Sequence, residues 1–242
     1  MPNESGEWIM YGVDESDPYC IHTVDELTSY INEIGFLPLF KNAVPGFSVE
    51  ERTVPHHWWC EDPQHDPWIW RELIARQGEI AYGKFFDKKA GFISKEWFPY
   101  FANWRRDGYD FDALWDDEKA TYRQKKIMDL YMEDPDRELY SFEVKQQAGF
   151  GKVGEKNFDG TITDLQMKTY LCMRDFKQKL NKKGLPYGWN VAIYSTPEHL
   201  FGYEHVTGAY SESPEESRKR IYDYMKEIYP IATEKQIQKV LK

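Results

Sequence analysis

Several short apolar runs at helical spacing are each opened by a capping signal, and this punctuation is what most limits how the chain can fold. Thr23-Val24-Asp25-Glu26 is a capping box, after which Val24, Leu27, Ile31 and Ile34 recur at helical spacing until Gly35. Asp66-Pro67 places an N-cap before a proline at the first helical position and opens a run from Trp68 to Ile74. Ser94 predicts a third helix with Trp97, Phe101 and Trp104 on its apolar face, closed by Gly108. Phe111 to Met132 reads as helical. Ser213-Pro214-Glu215-Glu216 starts another helix, with Ile221, Tyr222, Met225, Ile228 and Tyr229 as its stripe, and Thr233-Glu234-Lys235-Gln236 starts the last. Glu79 to Phe86 and Ala90 to Ile93 flank the polar tip Asp87-Lys88-Lys89 and read as a hairpin. The pattern predicts a mainly α protein with small β elements (α+β), without internal repeats or low-complexity stretches.

The segment after Asp134-Pro135-Asp136, a turn signal, carries the most information. Ser141 caps a short helix ending near Gly149, and a glycine-containing loop reaches Gly160. Thr163-Asp164-Leu165-Gln166 then reads as a capping box for a helix running to about Lys182 and stopped by Gly184. On that helix Leu165, Thr169, Cys172, Met173, Phe176 and Leu180 would share one face, with Arg174 and Gln178 but also Met167 and Leu171 opposite. Tyr187 to Ser195 reads as a strand in which Trp189, Val191 and Ile193 alternate. Short helix, loop, long helix, turn and strand is the order of a winged helix-turn-helix, and the chain is expected to pack such modules together. The expected divisions are 1–134, an N-terminal helical and hairpin region, 135–202, the winged-helix module, and 203–242, a helical extension.

Charge is distributed unevenly along this order. The 242 residues carry a formal net charge of −10, which repels nucleic acid at long range. Residues 107–138 hold eleven Asp/Glu against five Lys/Arg and read as a solvated face. Residues 141–183 reverse the sign, with nine Lys/Arg against five Asp/Glu. A basic segment on an acidic protein is the footprint of a phosphate-contacting patch. Its candidate DNA-binding residues are Lys152 and Lys156 in the loop, Arg174, and Lys182 and Lys183 at the wing. The nine Trp and 17 Tyr suit core corners and ligand surfaces alike.

Other chemistry is sparse. His56, His57, Cys60 and His65 are zinc-type ligands, but at a spacing that matches no zinc motif, so no metal and no cofactor is expected. Gly149-Phe150-Gly151-Lys152-Val153-Gly154 fits Gly-x-Gly-x-x-Gly only superficially, because it follows a helix rather than a strand. Cys20, Cys60 and Cys172 are odd in number and widely spaced, which fits a reducing compartment. The first residues lack a basic start and an apolar run, so no secretory signal is expected, and no apolar stretch suits a bilayer. A cytoplasmic protein is the expectation.

Two stretches carry a family likeness. Ala90-Gly91-Phe92-Ile93-Ser94-Lys95-Glu96-Trp97-Phe98-Pro99 enters a helix that bears Arg105 and Arg106, and Val191-Ala192-Ile193-Tyr194-Ser195-Thr196-Pro197-Glu198-His199-Leu200 sets strand, Pro-Glu and apolar residue in register. Both resemble the AlkZ-like DNA glycosylases, bacterial winged-helix enzymes that unhook alkylated and cross-linked bases, and a shorter AlkZ-related group is most similar. The resemblance implies a winged-helix scaffold, duplex DNA as partner and a place in DNA repair. It also implies a Gln-x-Gln or Gln-x-Asp pair after the first helix, where this chain has Gly35-Phe36-Leu37-Pro38-Leu39, and a Trp-x-His near Phe86-Asp87-Lys88, where no histidine stands. Activity as an enzyme is therefore open, at most that of a divergent glycosylase. An aromatic cleft of Trp68, Trp70 and Trp104 with Arg71, Glu72, Arg105 and Arg106 is a candidate seat for a flipped base. The alternative is a non-enzymatic interaction protein that holds a protein or small-molecule ligand in that cleft.

Overall fold

The computed structural model describes residues 9–242; residues 1–8, where no secretory signal is expected, lie outside the described residues. The chain forms two compact units, the described part of Met1–Glu96 joined by Tyr222–Lys242, and Trp97–Ile221. It is an α+β protein with antiparallel strand pairing.

In the first unit, helix α1 (Val24–Ile34) is capped by the Thr23 side chain, which accepts from the Glu26 N–H, and ends at Gly35 with φ of 85°. It buries Leu27 and Ile31 and leads into strand β1 (Phe36–Pro38). Single 3-10 turns at Glu50–Arg52 and Pro55–His57 follow, then α2 (Pro67–Gln77) with Asp66 as its N-cap. Strands β2 (Ile80–Phe86) and β3 (Lys89–Ser94) form the expected hairpin, closed by Asp87 and Lys88, both at positive φ (47° and 63°). Two consecutive left-handed residues match the twist of the strands they join. β1 pairs with β3, giving the order β1-β3-β2. Gly91 in the middle strand is obligatory, since a Cβ there would lie 2.5 Å from the Phe86 ring and 2.8 Å from the Leu37 carbonyl oxygen. Phe86 thereby stacks on Phe36 at 6.4 Å and meets Phe47 edge-on at the same separation.

Ser94 ends a strand instead of opening a helix. In the second unit, helix α3 (Phe98–Arg106) starts four residues later, with a proline in its first turn. The expected helix over 111–132 is two, α4 (Phe111–Asp116) and α5 (Tyr122–Met132). Glu118 at φ 58° breaks the first, and Thr121 with Gln124 forms a capping box for the second. Asp134-Pro135-Asp136 is a turn inside this unit. Strand β4 (Leu139–Tyr140) and helix α6 (Ser141–Gln147) precede a loop, and α7 (Phe158–Met167) follows.

The long helix expected over 163–182 is not formed. Thr163 and Gln166 lie buried inside α7, and Gln166 donates to the Ile162 carbonyl at 3.0 Å instead of capping. Thr169 takes φ 62°, which ends the helical path, and Cys172–Leu180 forms strand β5, paired with β6 (Pro186–Ser195). Arg106 holds this reversal, its Nη2 donating to the Thr169 carbonyl at 2.7 Å and its Nε to Thr169 Oγ1 at 3.3 Å. β4 pairs with β6, so the order is β5-β6-β4. Short helices α8 (Pro197–Phe201) and α9 (Tyr203–Val206) close the segment. α10 (Pro214–Ile228) then carries the chain back into the first unit, where α11 (Glu234–Leu241) buries Ile237, Val240 and Leu241.

The two units thus repeat one order that the sequence does not display: helix, short strand, helical turn or helix, helix, hairpin. In each, the short strand pairs with the second arm of the hairpin. No helix among the described residues is long and apolar enough to cross a membrane.

Candidate nucleic-acid interface

The β5–β6 hairpin runs well past the core. Cys172, Met173, Asp175 and Phe176 are buried, and every residue from Asn181 to Asn190 is exposed. Asn181 builds the turn, its Oδ1 accepting from the Lys183 N–H at 2.8 Å and the Leu185 N–H at 3.1 Å. Residues 177–190 hold four lysines and no carboxylate. Lys177 reaches back to Asp175 at 2.9 Å and Lys179 lies 5.0 Å from the centre of the Phe142 ring. Lys182 and Lys183 have no carboxylate partner among the described residues. Trp189, expected to alternate inward with Val191 and Ile193, is 91% exposed, while Ile193 is buried. Leu180, Leu185 and Tyr187 are exposed beside it. A reading from strand period alone misses this, because the alternation continues after the strand has left the core. The cue was the length of the hairpin.

The other basic candidates are placed differently. Lys152 is exposed in the loop before α7, and Lys156 Nζ is folded onto that loop, donating to the Gly151 carbonyl at 2.8 Å and the Lys152 carbonyl at 2.5 Å. Arg174 is on a strand, not a helix, with its Nε 3.5 Å from Glu138 Oε1. Helix α7 presents Asp159 and Asp164 to solvent and buries Phe158, Thr161, Ile162, Thr163, Leu165 and Gln166. Carboxylates on its exposed side oppose insertion into a groove lined by phosphates.

The candidate cleft residues divide between the units. In the first, Trp70 is 1% exposed, its indole N–H donating to the Gln64 carbonyl at 2.8 Å. Arg71 and Glu72 form a buried ion pair at 3.0 Å, with the guanidinium 3.7 Å from the centre of the half-buried Trp68 ring. Tyr82 lies beside them, and its burial pushes the phenol pKa up to about 12. In the second, Arg105 Nη1 donates to the Met167 carbonyl at 3.2 Å and its guanidinium lies near Phe101 and the half-buried Trp104. Arg106 is 2% exposed and paired with Glu198 at 2.5 Å, over the Tyr170 ring at 4.6 Å. Most of these groups are committed to partners within the protein. At the place where the resemblance implies a catalytic pair, Phe36, Leu37 and Leu39 are fully buried. The imidazoles of His56, His57 and His65 are neighbours, with ring centres 4.6 and 5.4 Å apart, but no group of three or more metal-ligating side chains is arranged to hold an ion among the described residues.

The sequence profile of the AlkZ-related family matches residues 21–242. This chain belongs to that family. The match takes in all the elements of both units, so the repeated order of helices and hairpins belongs to the family segment itself. No curated protein and no solved structure matches the chain.

Proposed function

We propose that this AlkZ-related protein binds nucleic acid through the β5–β6 hairpin, on a scaffold of two winged helix-turn-helix modules over residues 24–94 and 122–195. Support for the modules is the shared order of elements and the pairing of the short strand with the second hairpin arm in each. The observation that carries the binding is the stretch 177–190, exposed but for the half-buried Lys179, with four lysines, no carboxylate and a bare Trp189, on a chain of net charge −10. Lys182 and Lys183 would meet phosphates, joined by Lys152, exposed on the loop before α7. Lys156 and Arg174 contribute less, being engaged with carbonyls and Glu138. Contact is by the wing, since α7 offers carboxylates to solvent.

Glycosidic cleavage by the amide or carboxylate pair that the resemblance to AlkZ-like glycosylases implies has no support from this chain, because the corresponding strand offers only buried apolar side chains. The aromatic-cleft alternative draws little, because Trp70, Arg71, Glu72 and Arg106 are buried and engaged.

The test is duplex-DNA affinity measured by fluorescence anisotropy across a salt series. Replacing both Lys182 and Lys183 by Gln should flatten the slope of log K against log salt by about 1.8, two counterions' worth. Retention at low salt no better than that of an acidic control protein would remove the proposal.

A further inference from the structure

A cavity of about 720 Å³ opens in the first unit, bounded by the loop after β1, the β2–β3 turn, the N-terminal segment at Tyr11 and helix α11. The volume falls in the range of small-molecule sites, roughly 300–1,000 Å³. Its floor is apolar, with Pro38, Phe86 and Val240 buried and Phe40 half-buried. Its rim carries three ammonium groups, Lys41, Lys89 and Lys239, all exposed.

The chain has 41 carboxylate side chains against 31 Lys and Arg, so a surface lysine has acids to spare. None of the three has a carboxylate within ion-pair distance among the described residues. Lys41 instead rests on the Tyr11 ring, its Nζ 3.9 Å from the centroid. Two acids line the cavity. Glu50 has both oxygens engaged, Oε1 by the Tyr11 N–H at 3.0 Å and Oε2 by the Lys41 N–H at 2.8 Å, which fixes the rim. Asp87 is held in the left-handed turn between β2 and β3. The Asn42 amide is likewise spent on the loop, donating to the Phe47 carbonyl and accepting from the Val44 N–H at 2.9 Å. What faces a ligand is an apolar floor, the Tyr11 ring, three positive donors and the single Asp87 carboxylate, so the ammonium groups outnumber the acid left beside them.

We propose that this cavity binds a small organic anion with a flat apolar body and a phosphate monoester head. The floor and the Tyr11 ring take the body, and the three ammonium groups, point charges suited to a dianion, take the head. Holding the ligand needs no chemistry from the protein. The site is independent of the hairpin and stands whether or not the chain binds nucleic acid.

The full chain is titrated calorimetrically at low salt with 1-naphthyl phosphate, 1-naphthol and inorganic phosphate. Naphthyl phosphate should bind with one-to-one stoichiometry and at least tenfold more tightly than either fragment, because only it uses both floor and rim. Replacing Lys41, Lys89 and Lys239 by Gln, singly, should weaken it about fivefold each, and the triple variant should lose it. All three side chains are exposed, so the variants should keep the unfolding midpoint of the parent, which circular dichroism checks. The Lys182→Gln/Lys183→Gln variant should bind naphthyl phosphate unchanged. The proposal is overturned if naphthyl phosphate does not bind, if naphthol binds equally well, if the folded triple variant keeps the affinity, or if the hairpin variant loses it.

Discussion

At the reversal between α7 and β5, the Arg106 guanidinium donates to the Thr169 carbonyl at 2.7 Å, pairs with Glu198 at 2.5 Å and is almost wholly buried. Desolvation opposes the charge there, and Glu198 and the tyrosine oxygens around it more than offset that opposition, holding the group protonated. Removing one member of a buried pair strands the other, so Arg106→Ala should destabilise the protein by roughly 3–5 kcal/mol in urea unfolding. The double variant with Glu198→Ala should cost less than the sum of the singles, because both lose the same interaction. Additive costs would mean that the pair is not coupled. Single-residue signals were the most legible part of the sequence. Thr23, the Asp66-Pro67 pair and the Thr233 box cap helices as their chemistry requires, each accepting from a main-chain N–H in the first turn. Ser94 misled because a serine's local capping potential says nothing about a strand that already uses its N–H, here donated to the Gly35 carbonyl at 2.7 Å.

Among elements, β5 was hidden for a specific reason. Its ladder with β6 shifts register between Met173 and Asp175 and again between Lys177 and Lys179. Each irregularity slips the two-residue alternation, and the apolar positions 172, 173, 176 and 180 fall into helical spacing instead. Local periodicity cannot separate the two outcomes; pairing with β6, set by distant residues, decides. The turn at Lys182-Lys183-Gly184 was readable, and so was its charge. The exposure of Trp189 was not, and it makes a prediction at this scale. Trp189 packs against nothing that folding requires, so Trp189→Ala should move stability by less than about 0.5 kcal/mol. Its loss should weaken single-stranded DNA binding by about 1–3 kcal/mol, the usual worth of one base stacked on an aromatic ring. Unchanged affinity in a filter-binding titration would remove Trp189 from the interface.

For the whole molecule, the sequence disclosed the mixture of helix and small sheet, and the charge contrast, but not the doubling of one order of elements. The two copies differ in length and in composition, and the first replaces a helix by isolated 3-10 turns, so similarity survives in the order of elements and the pairing of strands and not in the residues. Nor was the Lys41–Lys89–Lys239 cavity legible, since its walls come from segments as far apart in the chain as Tyr11 and Val240. The sequence also concealed that the first unit is completed by residues 222–242, whose α11 buries Ile237, Val240 and Leu241. A chain ending at Ile221 should therefore retain the second unit and lose cooperative unfolding of the first, seen as amide protection confined to residues 97–221 in hydrogen exchange. Protection persisting in β2 and β3 would contradict this.

The discontinuity sets an order of events during synthesis. Residues 9–96 leave the ribosome before residues 97–221, yet lack their closing helix until the whole of 97–221 has emerged behind them. The later-made unit can finish while the earlier-made one is still waiting, with Phe36 and Phe47 short of the Tyr224 and Tyr229 rings they meet. Nascent chains stalled within residues 97–221 would be the form of this protein most exposed to chaperones and proteases.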